Sequence, residues 1–249
     1  MEQEHSFVIT GANSFLGKAF AEMLTKNENY KVFLTSRGDF TFSGLDGLKN
    51  IFCLQGIDLT SENDMDKLKE AINQFIPGRF HIINCVGYFP GYELTENLSI
   101  GEAKKIFDSN VLSLYGTANK LIPLMCKHGG GHFIAFSTHT AYQNYPRMVA
   151  FTAAKAAVES LITGLANEYL EKGINANTIA LATLLTETEL KMKPNGDSKN
   201  WLSTEEVCKL VEEIITKSSR LINGNVIHAY KFSDSYFNQS YFERIDPNS

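Results

Sequence analysis

Cysteine is scarce in this chain, and the few cysteines that occur do not form a recognisable site. Cys53, Cys85, Cys126 and Cys208 are scattered through 249 residues, with no CxxC pair and no metal-ligand spacing. A disulfide framework or a zinc site needs cysteines at characteristic spacings. The sequence therefore predicts buried, reduced thiols and no bound metal.

An excess of positive charge is also missing. The chain carries 23 Lys and Arg against 28 Asp and Glu, which gives a net charge of −5 and a pI near 5.7. Nucleic acids and anionic membranes are usually recognised by basic patches, and no basic stripe is present. We therefore expect no nucleic acid and no membrane among the main partners.

Long apolar runs, repeats and low-complexity segments are absent as well. No run approaches the ~18 residues that a bilayer-spanning helix needs. The first five residues are acidic and polar, unlike a signal peptide. These absences favour a cytoplasmic protein built as a single domain over residues 1–249.

The chain does contain a regular alternation of short apolar runs and amphipathic stretches. Runs such as 80–85 and 133–136 are nearly all apolar, as expected for strands whose two faces are both covered. We predict an α/β fold, a doubly wound, Rossmann-like parallel sheet of about seven strands flanked by helices. The expected strands lie near 6–10, 31–35, 51–55, 80–85, 132–137, 174–180 and 225–228, and the expected helices near 14–26, 61–75, 101–127, 149–171 and 204–217.

Two stretches interrupt this alternation. Residues 186–203 are polar and contain Pro194, Asn195 and Gly196, which predicts a mobile flap over a substrate site. Residues 229–249 follow the last expected strand and are unusually aromatic. Such a tail is expected to dock on its own domain or on a neighbouring subunit. Its aromatic residues are Tyr230, Phe232, Tyr236, Phe237, Tyr241 and Phe242.

A glycine-containing turn follows the first expected strand. Residues 10–17 read T-G-A-N-S-F-L-G, and a helix follows directly. Glycines permit a tight turn, and the free N–H groups and positive dipole end of the helix suit a pyrophosphate. Phe15 stands where a dinucleotide loop usually has its middle glycine. The turn is therefore interpreted either as a nucleotide cradle or as an ordinary βα turn.

The ends of the next three strands favour the nucleotide interpretation. Arg37 suits a 2′-phosphate and hence NADP(H), although Asp39 keeps NAD(H) open and the arginine could simply be solvated. Asp58 follows the third strand, where it could border an adenine pocket or cap the next helix. Asn84 and Gly87 follow the fourth strand, at the sheet edge where such folds bind ligands.

Phe151 and Lys155 stand four residues apart in the sequence F-T-A-A-K. A phenol at the first position, one helical turn from a lysine, would be a primed proton donor, because the ammonium lowers the pKa of the phenol. Phe151 has the ring without the hydroxyl. The spacing therefore predicts a site that keeps the assisting lysine and has lost the phenol that would donate the proton.

Taken in order, these residues resemble the short-chain dehydrogenase/reductase family, up to about residue 230. The segment 10–17 looks like the TGxxxGxG loop of the family, and 84–87 looks like its NNAG motif. Phe151 and Lys155 fall on YxxxK. Thr138, thirteen residues before Phe151, falls on the active-site serine. Asn110 falls on the helix asparagine that supports a proton-relay water.

The resemblance implies a role for each matching residue. Lys155 is expected to bind the nicotinamide ribose, with a solvated helix lysine as the alternative. The family's dimer interface, formed by helices that match 101–127 and 149–171, implies a homodimer or homotetramer, with an active paralogue as a further candidate partner. The implied catalytic residues are Asn110, Thr138, Phe151 and Lys155. The implied cofactor contacts are Gly11, Asn13, Phe15, Leu16, Gly17, Arg37, Asp58, Leu59, Asn84, Gly87, Lys155, Leu184 and Thr186.

The chain departs from the family pattern mainly on the chemistry side. Phe151 replaces the tyrosine, Thr138 replaces the serine, and Leu181 and Ala182 replace the Pro-Gly of the nicotinamide-side loop. Phe15 is the one departure on the cofactor side. These changes leave the binding residues largely in place and remove the acid.

Four nearby side chains could supply a proton instead, although each is also interpreted as a packing or wall residue. They are His139, which could titrate near neutrality, and Tyr142, Tyr145 and Tyr88. The resemblance then implies an NADP(H)-dependent oxidoreductase with an atypical or absent proton donor, acting on a small polar carbonyl, enone or imine. A catalytically silent, cofactor-binding structural or regulatory subunit is the alternative, and a nucleotide-free scaffold is the third hypothesis.

Overall fold

The computed structural model describes residues 5–42, 48–142, 145–196, 198–217 and 221–231, apart from the side chain at position 142. The strands are β1 (His5–Thr10), β2 (Tyr30–Ser36), β3 (Ile51–Gln55), β4 (His81–Asn84), β5 (Gly131–Thr138), β6 (Ile174–Leu181) and β7 (Val226–Ala229). The helices are α1 (Phe15–Leu24), α2 (Glu62–Phe75), α3 (Ile100–Phe107), α4 (Ser113–Lys127), α5 (Val149–Glu168), α6 (Glu187–Met192) and α7 (Thr204–Thr216).

The seven strands form one parallel sheet in the order β3-β2-β1-β4-β5-β6-β7. This confirms the predicted doubly wound fold. The chain turns outward in opposite directions from β1 and β4, so a crevice opens between the carboxyl ends of these two strands. Open α/β sheets bind their ligands at such a switch point.

Helices cover both faces of the sheet. On one face, α1 and α7 bury side chains such as Phe20 and Val211 against the strands. On the other face, α2, α4 and α5 bury Leu68, Leu121 and Ile162. Each such side chain contributes roughly 2 kcal/mol by leaving water. Both faces being covered explains why the central strands are apolar nearly throughout.

The single helix predicted over 101–127 is interrupted. A π-helical segment, Asp108–Leu112, lies between α3 and α4. Its central residue, Asn110, donates from Nδ2 to the carbonyl of Ile106 at 2.8 Å, so the side chain competes with the backbone for that acceptor. The extra residue of the π turn brings Asn110 to the sheet side of the helix, where it is buried.

Gly116 on α4 explains how closely this helix approaches the loop after β3. A Cβ at this position would lie 2.0 Å from the carbonyl oxygen of Leu59. No side chain could occupy that space, so only glycine permits this contact.

By length and composition alone, α5 could cross a membrane, with a mean hydropathy of 1.3 over 18 residues. The expectation that no segment approaches this length was wrong for α5, because its many alanines raise the average. The helix packs on β5 and β6 and contributes Val158 and Ile162 to the core. Lys155 and Glu159 on the same helix are buried within the fold. In this structure α5 is a core helix.

Other predictions need smaller corrections. The helix expected to reach residue 171 ends at Glu168, where a 3₁₀ turn and Gly173, with φ of 76°, begin. The predicted flap over 186–203 contains α6, capped by Thr186. Cys85 and Cys208 are buried as predicted, whereas Cys53 on the edge strand β3 is exposed. Most of the aromatic tail, 232–249, lies outside the described residues.

Candidate cofactor and substrate site

Two adjoining cavities lie at the carboxyl edge of the sheet. The β2-side cavity, of about 440 Å³, is lined by residues that follow β1, β2 and β3. The β5-side cavity, of about 650 Å³, is lined by residues that follow β4, β5 and β6. Ser14, Gly87 and Tyr88 belong to both walls. The two cavities therefore form one continuous groove across the switch point.

The turn after β1 forms the floor of the groove at the start of α1. Gly11 has a φ of 70°, and a Cβ there would lie 2.9 Å from the backbone of Cys85. Gly17 packs so closely that its Cβ would lie 2.3 Å from the Gly11 carbonyl oxygen. Ser14 caps α1 by accepting from the Gly17 N–H at 3.0 Å. The sequence thus produces a tight turn whose helix amino terminus faces the groove.

Phe15, at the position of the expected middle glycine, is the first residue of α1 and is 53% exposed. Its side chain lines the β5-side cavity together with Leu16. The tight turn at Gly11 and Gly17 thus forms with Phe15 at this position.

The polar wall of the β2-side cavity contains several predicted cofactor contacts: Asn13, Arg37, Asp58 and Leu59. Arg37 is exposed, as is Asp39. Arg37 is the cation in this wall among the described residues, whereas Asp39 is not part of the wall. The arrangement places a guanidinium at the end of the groove that lies beyond β2.

Asp58 does not cap α2. The helix is capped by Ser61, whose side chain accepts from the N–H of Asp64 at 3.4 Å. The Asp58 carboxylate instead accepts from the N–H and the hydroxyl of Thr60, at 2.9 and 2.7 Å. The helix-cap interpretation was therefore wrong, and the carboxylate is held at the cavity wall.

Two predicted cofactor contacts, Asn84 and Gly17, are not part of the described wall of either cavity. Asn84 is buried at the end of β4 and accepts from the Thr10 hydroxyl at 2.6 Å. This bond ties the end of β4 to the end of β1. Both residues thus support the backbone that lines the groove.

The four predicted catalytic residues converge on the β5-side cavity: Asn110, Thr138, Phe151 and Lys155 all line it. They come from the π-helical segment, the end of β5 and the first two turns of α5. Leu184 and Thr186, predicted to contact a cofactor, line the same cavity from the loop after β6. The four residues that the sequence predicted to form one site therefore line one cavity of the structure.

Lys155 is almost fully buried, with 8% of its surface exposed. Its Nζ donates to the carbonyl of Phe136 at 2.9 Å and lies 5.7 Å from the centroid of the Phe151 ring. Burial lowers the pKa of the Lys155 ammonium to about 8, and the Glu159 carboxylate partly opposes this shift. A solvated helix lysine, the alternative interpretation, is thereby excluded.

Asn110 is held rigidly and presents one unused acceptor. Its Nδ2 donates to the carbonyls of Tyr88 and Ile106, at 2.9 and 2.8 Å. Its Oδ1 is buried and accepts no hydrogen bond from the described residues. A Cβ on Gly87 would lie 3.0 Å from this oxygen and 3.5 Å from Lys155 Nζ. The amide oxygen and the ammonium therefore border the same small space beside Gly87.

Phe151 and Thr138 form the part of the wall where a reacting group would lie. The Phe151 ring packs on Phe89, with the centroids 4.7 Å apart and the planes tilted by 50°. Thr138 Oγ1 lies 3.0 Å from Thr140 Oγ1, so two hydroxyls form a hydrogen-bonded pair in the wall. The wall thus combines an aromatic surface with a hydroxyl pair that can bind an oxygen.

His139 does not titrate near neutrality, contrary to the expectation. Its Nδ1–H donates to the carbonyl of Leu181 at 3.3 Å, and burial lowers the pKa of the imidazole to about 4. At pH 7 the ring is therefore neutral. A neutral imidazole whose proton is bound to a backbone carbonyl is a poor acid.

Two of the tyrosines named from the sequence have other contacts. Tyr145 is buried, packs edge-on against His139 and is not part of the described cavity wall. Tyr88 lines both cavities, but its hydroxyl donates to the Glu102 carboxylate, and this bond raises the pKa of Tyr88. The side chain of Tyr142 lies outside the described residues.

Sequence reasoning missed a buried lysine at the far end of the β5-side cavity. Lys193 forms an ion pair with Glu189 at 2.8 Å and donates to the Thr183 hydroxyl at 3.0 Å. Its Nζ also lies 5.6 Å from the Tyr92 ring centroid and 5.8 Å from that of Trp201. Glu189 stands only four residues before Lys193, whereas Tyr92 is distant in sequence and is brought to the lysine by the fold. Lys193 ties the predicted flap to the body of the protein.

A second missed contact lies behind Lys155. Glu159, one turn further along α5, is buried and accepts a hydrogen bond from the Ser137 hydroxyl. The spacing of four residues from Lys155 could have suggested an interaction, since such residues share a helix face. The role of Ser137 on β5 could not have been found from the sequence.

The family profile described as short chain dehydrogenase matches residues 5–197. An uncharacterised oxidoreductase of Staphylococcus aureus (strain N315) is 24% identical over 225 residues, which cover 88% of this chain and 94% of the relative.

Three solved structures illustrate the similarity of fold. ElxO with NADP bound is 24% identical, with a TM-score of 0.80 and coverage of 91% of this chain and 97% of that one. Its tyrosine-to-phenylalanine variant with NADPH bound is 23% identical, with a TM-score of 0.79 and the same coverage. The L-sorbose reductase of Gluconobacter frateurii, complexed with NADPH and L-sorbose, is 21% identical, with a TM-score of 0.78 and coverage of 91% and 95%. On the strength of the profile match, which spans most of its length, the chain belongs to the short-chain dehydrogenase family.

Proposed function

We propose that the protein is an NADP(H)-dependent oxidoreductase that reduces a small polar carbonyl, enone or imine without a tyrosine acid. The observation that carries this proposal is the continuous groove, with Arg37 in the wall at one end and Lys155 and Thr138 at the other. A dinucleotide is long enough to occupy both parts of such a groove.

The β2-side cavity fits the adenosine half of the cofactor. The turn at Gly11 leaves room for close approach of a pyrophosphate to backbone N–H groups at the start of α1. Arg37 would bind a 2′-phosphate, and Asp58 and Leu59 would border the adenine. A 2′-phosphate therefore has a cationic partner, which favours NADP(H) over NAD(H).

The β5-side cavity fits the nicotinamide half and the substrate. The cofactor would supply hydride from the nicotinamide when bound. Lys155 would bind the nicotinamide ribose, and Leu184 and Thr186 would border the nicotinamide. Asn110 Oδ1, buried and in need of a donor, would hold a water beside Lys155. These residues position the reactants and need no tyrosine to do so.

The substrate would bind between the hydroxyl pair and the aromatic wall. Thr138 and Thr140 would donate to its reacting oxygen or nitrogen, and Phe89, Tyr92 and Phe151 would pack on its body. The nicotinamide half occupies part of the same 650 Å³ cavity, so the room left over supports a small substrate.

The first experiment is a titration with NADPH and with NADH, followed by a panel of carbonyl, enone and imine substrates. We expect tighter binding of NADPH and oxidation of NADPH by at least one class of substrate. Absence of binding to both nucleotides would contradict the proposal and favour a nucleotide-free scaffold.

A catalytically silent, cofactor-binding subunit is the second candidate, and the missing hydroxyl of Phe151 favours it. The structure of ElxO in which a tyrosine is replaced by phenylalanine has NADPH bound. Binding without that hydroxyl is therefore precedented in a protein of the same fold. Tight NADPH binding with no turnover, and none restored by Phe151→Tyr, would favour this second function.

The protein is further proposed to be a cytoplasmic homodimer or homotetramer, with an active paralogue as an alternative partner. Exposed apolar side chains on the π-helical segment, α4 and α5 support self-association: Leu112, Tyr115 and Val149 are each at least half exposed. Analytical ultracentrifugation of the whole chain tests the oligomeric state, and a monomer at micromolar concentration would contradict this proposal.

A further inference from the structure

We propose that Lys155 is itself the proton donor of the reaction and takes over the task of the hydroxyl that Phe151 lacks. This inference rests on the oxidoreductase activity proposed above. It assigns a chemical step to a residue that would otherwise only bind the ribose.

The position of the ammonium supports a role in proton transfer. Nζ lies in the wall of the β5-side cavity, the same wall that holds Thr138 and Phe151. One of its three N–H groups is used by the carbonyl of Phe136. The neighbouring Phe151 ring, whose centroid lies 5.7 Å from Nζ, is a hydrocarbon and brings no competing hydroxyl.

A path for the proton is also present. Asn110 Oδ1 and Lys155 Nζ border the same small space beside Gly87, a residue that lines both cavities. A water held by the amide oxygen would accept a hydrogen bond from Nζ and connect it to solvent. After each turnover, the neutral amine of Lys155 would therefore regain its proton through this water, without any opening of the fold.

Burial gives this ammonium the acidity that the task requires. The pKa of Lys155 is lowered to about 8 by desolvation, with Glu159 opposing the shift. A general acid is most effective when its pKa lies near the working pH, whereas an ordinary lysine holds its proton too tightly. At pH 7 most of the lysine is protonated and still able to release the proton.

The other charged or titratable groups around the cavity are less suitable donors. His139 is neutral, and the Tyr88 hydroxyl is bound to Glu102. Lys193 is tied to Glu189 and Thr183 on the flap side. Glu159 lies behind Lys155 rather than in the wall, and Glu187 is an exposed carboxylate on α6. Among these groups, the comparison favours Lys155.

The step balances as an ordinary reduction. As the carbonyl carbon accepts hydride from NADPH, the electrons of its C=O π bond move to the oxygen. The oxygen then takes a proton from Nζ, directly or through one water, and Lys155 is left as a neutral amine. The amine regains its proton from solvent, so that carbonyl, NADPH and one proton give alcohol and NADP⁺.

The first test replaces Lys155 by arginine in two backgrounds. Arginine keeps the positive charge for the ribose but does not release a proton near neutral pH. In the natural sequence, Lys155→Arg should lower kcat about 100-fold or more, the usual worth of a general acid. In the Phe151→Tyr background the same change should cost far less, because the phenol then supplies the proton.

The readouts of this test separate the donor from a mere ribose ligand. Any loss of NADPH affinity, which reports the ribose contact, should be the same in both backgrounds, and kcat of the unmodified protein should fall as the pH rises through about 8. An equal loss of kcat in both backgrounds, an unchanged kcat in the natural one, or no fall in kcat through this pH range would overturn the proposal.

A second test needs neither turnover nor a folded arginine variant. The protein is labelled with ¹³C-lysine and titrated by NMR without nucleotide, and the Lys155 signal is assigned by its loss in Lys155→Met. A midpoint near 8 is expected, and a midpoint in the range of an ordinary lysine overturns the proposal. If neither the natural protein nor Phe151→Tyr reduces any substrate, the proposed function is wrong and this inference fails with it. If turnover is present and either test contradicts Lys155, only the inference is wrong.

Discussion

The two cavities of the groove differ in what builds their walls. The β2-side cavity depends largely on backbone geometry, set by Gly11, Gly17 and the cap at Ser14. The β5-side cavity depends on side chains that converge from β5, α5, the π-helical segment and the loop after β6. The named departures from the family pattern, Phe15 included, all line the second cavity. The backbone geometry of the first cavity therefore keeps the family pattern, whereas side chains of the second cavity depart from it.

The physical reason lies in what each half must recognise. A pyrophosphate is bound by N–H groups of a turn, so that any side chains compatible with the turn suffice. Phe15 illustrates this tolerance, because its ring lies outside the tight part of the turn. A proton must instead be delivered from one atom at one position, so the loss of a single hydroxyl at Phe151 changes the chemistry.

The largest expected effect is a gain of activity in the β5-side cavity. In the Lys155→Arg background, Phe151→Tyr should raise carbonyl reduction by about 10²–10⁴-fold, because a phenol one turn from a buried cation is an efficient acid and the lysine no longer supplies the proton. Phe89→Tyr, which adds a hydroxyl to the neighbouring ring, is the matched control and should give no such gain. Initial rates of NADPH oxidation measure both. No gain from Phe151→Tyr would mean that more than the acid has been lost.

In the β2-side cavity, the largest effect should come from Gly11→Ala. The new Cβ would lie 2.9 Å from backbone atoms of Cys85 and Val86 at a φ of 70°. The left-handed conformation alone costs about 1–2 kcal/mol. We expect a lower melting temperature and NADPH binding weakened at least about tenfold, in line with that cost.

Gly164→Ala is the control for Gly11→Ala. Its Cβ would meet nothing within 4 Å, in the interior of α5. An alanine there should stabilise the protein by roughly 0.5–1 kcal/mol and leave nucleotide affinity unchanged. Equal behaviour of the two variants in calorimetry and nucleotide titration would show that the turn is not a cradle.

Arg37→Ala should change cofactor choice and leave the chemistry alone. A charge-assisted contact to a 2′-phosphate is worth about 1.5–3 kcal/mol, so NADPH affinity should fall about 10–100-fold while NADH affinity stays the same. Lys18→Ala, on the exposed side of α1, is the control. Unchanged affinities for both nucleotides in Arg37→Ala would show that the NADP(H) assignment is wrong.

The smallest effect is expected from a change at Glu159, which lies behind the wall of the β5-side cavity. The Glu159 carboxylate raises the pKa of Lys155, so Glu159→Gln should lower it further. The pH above which kcat falls should therefore move to a lower value. Glu168→Gln, at the exposed end of α5, should leave it in place. A shift to higher pH in Glu159→Gln would contradict the electrostatic role given to this carboxylate.

Much of this molecule was predictable because its signals are local. Apolar runs of strand length gave the seven strands to within a residue or two at most boundaries, and motif order placed Asn110, Thr138, Phe151 and Lys155 in one wall. Features that depend on distant contacts were not predictable. The π-helical turn arises from bonds of Asn110 to Tyr88 and Ile106, and the low pKa of His139 arises from burial that its neighbours in sequence do not reveal.

For a related reason, the composition of α5 led to a wrong expectation about membrane-spanning segments. Its alanines gave no long run of large apolar residues, yet its mean hydropathy of 1.3 is high enough for a helix that could cross a membrane by length and composition alone. The same small residues allow Lys155 and Glu159 to be buried against the sheet. A sequence average cannot distinguish an apolar lipid-facing surface from a closely packed one.

Gly116 has a consequence for how the two ends of the groove communicate. Because it lets α4 rest on the carbonyl of Leu59, the helix that follows Asn110 abuts the outer wall of the β2-side cavity. Displacing either element would strain the other, so we expect ligand binding in the β2-side cavity to be thermodynamically linked to the position of the Asn110 amide. A ligand in the β2-side cavity would then reduce the conformational freedom of Asn110 in the β5-side cavity before any substrate binds, without contacting that residue.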